Sequence, residues 1–135
     1  MADNEPTYGH GKICYLQIPA ADIPVSIAFY EKVFGWKIRK RANGSIAFDD
    51  GVGQVSGAWE TGRKPSTEAG VLVYIMVDNA VAACEAVAAH GGKIVQPIGL
   101  DAPEITARFT DPAGNLFGIY QMPAFEQPPG TSGKS

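Results

Sequence analysis

The side chains that most often carry out chemistry in enzymes are few in this chain and widely spaced. There are two histidines, His10 in a glycine-rich stretch and His90 beside a pair of glycines. His90 is predicted to cap the carbonyl end of a helix. Cys14 and Cys84 lack the spacing of a disulfide framework or a metal motif, and are predicted to be buried, reduced thiols. No serine or cysteine has a histidine at the spacing of a nucleophile motif, so covalent catalysis is not indicated.

The elements that would position a site occur in two copies. A helix-like stretch after Asp22 ends at Gly35, and a similar one after Asp78 ends at Gly91, with 56 residues between corresponding landmarks. Such a unit cannot bury its apolar face alone, so the two copies are predicted to pack together. The seam between them is a natural place for a ligand.

A second repeated segment lies near the end of each copy. Segment 54–60 matches segment 115–121 position for position, which pairs Gly57 with Gly118. Capping residues, turn signals and alternating apolar residues predict the same order of strand, helix and three strands in each copy. The predicted strands are 13–18, 36–40, 44–48 and 52–59 in the first copy and 71–77, 93–95, 104–109 and 115–121 in the second; the predicted helices are 23–34 and 78–90.

These elements predict one domain over residues 1–122. Module 1 covers about 12–60, a linker about 61–69, and module 2 about 70–122; residues 123–135 are predicted to form a flexible tail.

Composition excludes several classes of protein. The net charge of −3 and the scattered lysines and arginines leave no basic surface for nucleic acid. The longest apolar run, 71–77, is far shorter than the roughly 20 residues that a membrane-spanning helix needs. The amino terminus has no basic flank and apolar segment of a secretory signal. We therefore expect a cytoplasmic protein with no nucleic-acid or membrane partner.

The repeated unit resembles the vicinal oxygen chelate superfamily, which contains glyoxalase I, bleomycin-resistance proteins and extradiol dioxygenases. The resemblance rests on residues 22–36, with their Phe-Tyr and Val-Phe-Gly phrases, and on 77–92 and the Asp-Pro-Ala-Gly-Asn turn at 111–115. It covers about 12–122. It implies an α+β fold of two tandem βαβββ modules, each with a mixed, curved sheet around a cleft and a helix on the outer face. Many members of the superfamily are homodimers.

The resemblance also implies where a divalent metal would be held. The corresponding positions are Tyr15, Leu72 and Gly118, with Gly57 assigned by internal symmetry. None carries the imidazole or carboxylate that such sites use, so we expect no metal and no other cofactor. Gln17 could supply one ligand, but strand alternation places Glu60 and Gln121 on the face opposite the two glycines.

The same alternation predicts the lining of a cleft, with an aromatic and apolar character typical of small-molecule pockets. Arg108, on the penultimate strand, is the charged residue best placed to meet an anionic group. The alternative is that these side chains only fill the seam as core. The predicted ligand-binding residues are Tyr15, Gln17, Trp59, Tyr74, Met76, Arg108 and Tyr120.

Two functions from different classes remain open, and no catalytic residue is assigned. The first is a metal-free binder of a small aromatic or planar compound, of the glyoxalase and bleomycin-resistance kind. The alternative is a lyase, isomerase or dioxygenase of the superfamily, with an unrecognised metal site or with Tyr15 or Tyr120 as acid-base groups. A purely interacting subunit is the third possibility.

Overall fold

The computed structural model describes residues 6–68 and 70–122, which form two four-stranded sheets and two helices. The predicted tail at 123–135 lies outside the described residues. Every predicted element is present, with bounds shifted by a few residues. The elements are β1 (Tyr15–Pro19), α1 (Ile23–Phe34), β2 (Lys37–Lys40), β3 (Ile46–Asp49), β4 (Ser56–Glu60), β5 (Tyr74–Val77), α2 (Ala80–Ala89), β6 (Lys93–Gln96), β7 (Thr106–Thr110) and β8 (Leu116–Gln121).

The two modules have the same topology. Sheet A has the strand order β1-β4-β3-β2 and sheet B the order β5-β8-β7-β6. In each sheet the first strand runs parallel to the last strand of its module, and the other neighbours are antiparallel. The helix supplies the crossover that the parallel pair requires. The predicted α+β class with two tandem βαβββ modules is confirmed.

Local capping explains where the helices begin and end. The side chain of Asp22 accepts a hydrogen bond from the backbone N–H of Val25, and Gly35 ends α1 in the left-handed conformation with φ 70°. In module 2 the cap is Asn79, whose side chain accepts from the N–H of Ala82 at 3.0 Å. The prediction that α2 begins at Asp78 is therefore wrong by two residues, because α2 begins at Ala80 after its cap, and the two caps lie 57 residues apart along the chain.

One core serves both modules, and Tyr30 of α1 is at its centre. Its ring stacks on Trp36 at 4.5 Å between centroids and contacts Trp59 of β4 and Phe117 of β8, both at 5.9 Å. Both sheets thus turn their helix-covered faces to the same aromatic cluster, and the opposite face of each sheet is open.

A buried turn joins the two modules by hydrogen bonds. The side chain of Asp111 accepts from the backbone N–H groups of Ala113 and Asn115. The amide of Asn115 donates across the module boundary to the carbonyl of Pro19 at 2.7 Å, and the Tyr30 hydroxyl donates to Asp111 at 2.8 Å. The Asp-Pro-Ala-Gly-Asn motif is therefore a structural joint.

The thiols differ from the prediction. Both cysteines are free, but Cys14 is exposed and Cys84 is only half-buried. Burial raises the pKa of Cys84, and the nearby Glu85 carboxylate raises it further. The expected burial of Cys14 is wrong because it lies just before β1, outside the packed layer. In the described part of the chain, no helix has the length and apolar character needed to cross a membrane.

Replacing Tyr30 by phenylalanine tests the joint. Burial, followed by the charge of Asp111 and their hydrogen bond, raises the pKa of Tyr30 well above its usual value. We expect Tyr30→Phe to lower the free energy of unfolding by about 2 kcal/mol at pH 7, because a buried carboxylate loses a donor. A raised pKa in the folded state means that the wild-type advantage is complete below about pH 10, where unfolded tyrosine ionises, and is lost as the pH rises further. Urea denaturation of both proteins from pH 8 to 11 should show the gap narrowing; a gap independent of pH would contradict this account.

Candidate functional site

The candidate site lies on the open face of sheet B. Strand register puts Tyr74, Gly118 and Arg108 side by side across β5, β8 and β7, and puts Met76, Tyr120 and Thr106 in the next row. The alternate residues of these strands, including Phe109, Phe117 and Ile119, point into the core.

A cavity of about 470 Å³ lies on this face. Its floor and walls are mainly apolar and aromatic, with two carboxylates from the loop between β6 and β7. This volume falls in the range of small-molecule sites, roughly 300–1,000 Å³. The lining residues are Tyr74, Met76, Asp101, Glu104, Thr106 and Tyr120.

Hydrogen bonds and charge organise the polar side of the cavity. The Thr106 hydroxyl donates to the carboxylate of Asp101. Desolvation, then the charge of Glu104 and a hydrogen bond to it, raise the pKa of Tyr120. Tyr120 therefore stays neutral at physiological pH and is poorly suited to act as a base.

Arg108 lies on the same face, as predicted, but does not line this cavity. Its Nε atom is buried and makes no hydrogen bond among the described residues.

A second, larger cavity adjoins the first. It has a volume of about 940 Å³. The end of α1 and the loop after β3 form one side of it, and β5 and α2 form the other. Tyr74 and Met76 line both cavities, so these two side chains form the wall that the cavities share.

The remaining predicted residues of module 1 lie elsewhere. Tyr15 and Gln17 are on the open face of sheet A, where their polar groups already have arginine partners. Arg41 donates to the Tyr15 hydroxyl and places its guanidinium 5.6 Å from the ring centroid, and Arg63 donates to Gln17 at 2.6 Å. This face is polar and basic, unlike that of sheet B.

Trp59 does not belong to an open face. It is 4% exposed and packs 4.8 Å from Phe48 between ring centroids, and its buried Nε1 has no hydrogen-bond partner among the residues that the structure describes. It pairs with Ile18 on the side of sheet A that the helices cover. Its predicted role in stacking on a ligand does not fit this position.

The origin of that error is a one-residue offset between the two copies. Gln17 and Tyr74 are equivalent positions, because each lies five residues before the cap of its helix. Gln17 pairs with Ala58 on β4, and Tyr74 pairs with Gly118 on β8. The structural counterpart of Gly118 is therefore Ala58, and Gly57 faces the core. A shift of one residue moves every side chain to the other face of a strand. Glu60 lies on the face opposite Gly57, as strand alternation predicted, but that face is the open face of sheet A and the Gly57 face is the core.

Neither glycine leaves empty space. A Cβ at Gly57 would lie 2.3 Å from the carbonyl oxygen of Leu16 and 2.4 Å from the Phe48 ring. A Cβ at Gly118 would lie 2.5 Å from the ring of Tyr74, which covers that position.

The side chains at the positions where the resemblance implies a metal do not fit a divalent ion. With the offset corrected, these positions are Tyr15, Ala58, Leu72 and Gly118, which provide one phenol and no imidazole or carboxylate. Leu72 also precedes β5. Residues 6–68 and 70–122 contain no group of three or more His, Cys, Asp or Glu side chains arranged to hold a metal.

Sequence reasoning missed Asp101, Glu104 and Thr106. Asp101 reads as an ordinary turn residue, and nothing in a loop sequence shows which sheet face the loop folds over. Thr106 could have been found, because alternation from Arg108 puts it on the same face.

The comparisons with known proteins agree with this fold. The model of the Glyoxalase/Bleomycin resistance protein/Dioxygenase superfamily matches residues 12–119. The chain therefore belongs to this superfamily. A relative from Didymella fabae, described as a glyoxylase-like domain-containing protein, is 32% identical over 130 residues, covering 84% of this chain and 96% of the relative.

Solved structures show the same architecture. A superfamily member from Sphaerobacter thermophilus superposes with a TM-score of 0.68 at 17% identity, covering 83% of this chain and 98% of its own. A family enzyme from Burkholderia phytofirmans gives a TM-score of 0.65 at 20% identity, covering 79% and 95%. At these identities the likeness concerns the fold alone.

Proposed function

We propose that this protein binds a small aromatic or planar compound on the open face of sheet B, without a metal ion. The cavity lined by Tyr74, Met76 and Tyr120 is the observation that carries the proposal. Aromatic side chains offer large apolar faces whose burial against a planar ligand is favourable.

The exposure of these side chains supports ligand binding over a core role. Tyr74 is 42% exposed and Met76 58% exposed, although both are large apolar residues on a regular strand. Their counterparts on the other side of sheet B, such as Phe117 and Ile119, are buried. Exposed apolar area of this kind commonly marks a binding surface.

The absence of metal-binding side chains at Tyr15, Ala58, Leu72 and Gly118 supports the metal-free part of the proposal. The alternative, an enzyme with a different metal site, is favoured by one observation. Glu60 and Gln17 lie on the same open face of sheet A in neighbouring rows, and could contribute two oxygen ligands.

A homodimer is part of the same proposal. Val95 and Leu100 are large apolar side chains that are 47% and 68% exposed and line neither cavity, and a second copy would shield them from water. Sedimentation velocity at micromolar concentration tests this, and a monomer would refute it.

Calorimetric titration with neutral aromatic compounds tests ligand binding directly. Trp36 and Trp59 are both buried, at 5% and 4% exposure, so their fluorescence reports on folding more than on this cavity. We expect Tyr74→Ala to weaken binding about tenfold, because the ring forms one wall of the cavity. Val81→Ala is a matched control, since Val81 is 59% exposed on α2 and lines neither cavity.

The titration should be repeated after treatment with a chelator. Unchanged affinity is expected for a metal-free site, whereas loss of binding on chelation would favour the enzyme alternative. Equal affinity of wild type and Tyr74→Ala would move the ligand to another part of the molecule.

A further inference from the structure

The cavity on sheet B has aromatic walls and, at its rim, two carboxylates without an ion-pair partner in the described part of the chain. Asp101 and Glu104 are exposed in the loop between β6 and β7, and both line the cavity. Within residues 6–68 and 70–122, neither carboxylate forms an ion pair, whereas Asp49 on the other sheet is paired with Arg39 at 2.8 Å. The carboxylates at this cavity therefore have no cation of the described chain to neutralise them.

The Asp101 carboxylate is held beside the aromatic wall by a hydroxyl group, and Glu104 lines the same cavity as the Tyr120 ring. Thr106, on β7, donates to Asp101, and Tyr120, on β8, is close to Glu104. A hydroxyl donor satisfies one lone pair and leaves the charge in place. The loop thus presents two negative charges at the edge of two tyrosine rings.

By strand register, Arg108 is the basic residue on this face that lies nearest to the cavity. It pairs with Gly118, one row away from Thr106 and Tyr120, and lies outside the cavity lining. Even if its charge is counted, two carboxylates against one guanidinium leave the local charge negative.

We propose that the cavity selects an organic cation, an ammonium or amidinium group attached to an aromatic or otherwise planar body. This inference rests on the proposed function and names the chemical class of its ligand. A cation over the face of a tyrosine ring is attracted by the ring quadrupole, and the carboxylates add charge attraction at the rim. A bare metal ion fits less well, because the tyrosine rings and Met76 are not ligands for hard cations.

Three probes that share a phenyl ring and differ in charge test the inference. They are benzyltrimethylammonium, neutral benzyl alcohol and anionic phenylacetate, titrated calorimetrically into the full-length protein at low ionic strength. We expect the cation to bind about tenfold more tightly than benzyl alcohol, and phenylacetate to bind more weakly than either.

Charge-neutralising variants locate the effect. We expect Glu104→Gln and Asp101→Asn each to weaken binding of the cation about three- to tenfold and to change benzyl alcohol binding by less than about twofold. Both substitutions preserve side-chain size and the ability to accept a hydrogen bond. Glu31→Gln is the control, because Glu31 is an exposed carboxylate on α1 outside both cavities.

Each result has a distinct meaning. Equal affinity for the cation and benzyl alcohol would overturn the charge inference and leave the proposed function standing. No binding of any probe would overturn both. If the variants weaken both ligands equally, the carboxylates act by shaping the loop, and if they weaken neither, the cation binds elsewhere; either outcome overturns the inference.

Discussion

Replacing Trp59 by alanine is expected to lower the free energy of unfolding by about 4 kcal/mol. The indole is 4% exposed and fills the space between Phe48 and Tyr30, whose ring centroids lie 4.8 and 5.9 Å away. Truncation would leave a cavity in the core that both modules share, and a close-packed interior relaxes only in part around such a cavity. Urea denaturation followed by circular dichroism measures the change.

Trp59→Phe is the matched control. It keeps most of the ring volume and removes the Nε1–H, which is buried without an acceptor in the described structure. Because the unsatisfied donor is itself unfavourable, we expect this variant to lose less than about 1.5 kcal/mol. At temperatures where Trp59→Ala remains folded, its affinity for aromatic ligands should equal that of the wild type. If Trp59→Ala were as stable as the wild type but no longer bound ligand, Trp59 would be a ligand-binding residue, which would contradict its core role.

Substituting alanine for Gly57 is expected to destabilise the fold by about 3 kcal/mol. The added Cβ would lie 2.3 Å from the carbonyl oxygen of Leu16, which is backbone of the neighbouring strand. Relief requires either movement of the parallel β1–β4 pair or displacement of the buried Phe48 ring, and both disturb the core.

Gly118→Ala is the matched comparison, because it adds the same Cβ at a glycine where the nearest atoms belong to a side chain and not to backbone. The atoms that its Cβ would meet belong to the ring of Tyr74, which is 42% exposed and can rotate toward solvent. We expect a stability loss below about 1 kcal/mol, together with altered ligand affinity because Tyr74 is displaced from the cavity wall. Thermal denaturation and calorimetric titration of both variants measure the contrast. Equal destabilisation of the two variants would show that the glycines occupy equivalent environments, contrary to the strand register.

Much of this protein follows from local sequence signals. Asp22 with Pro24 and Gly35 set the limits of α1, because capping and left-handed glycine depend on neighbouring backbone groups alone. The duplication and the alternating strands predicted two βαβββ modules, since a repeated unit with one apolar face must pack against its copy. On sheet B the alternation also grouped Tyr74, Met76 and Tyr120 correctly on one face.

Register and loop placement were decided only by the tertiary structure. Sequence similarity aligns Gly57 with Gly118, but strand pairing makes Ala58 the counterpart of Gly118. Because of this one-residue offset, Gly57 and Trp59 face the core and Glu60 the open side, the reverse of the predicted arrangement. Hydrogen bonding between strands distant in the chain sets the register, so no local pattern in β4 reveals it. The carboxylates of Asp101 and Glu104 reach the aromatic wall because their loop folds over sheet B. The sequence by itself thus determined the modules and one aromatic face, whereas long-range packing decided which side chains surround the cavity.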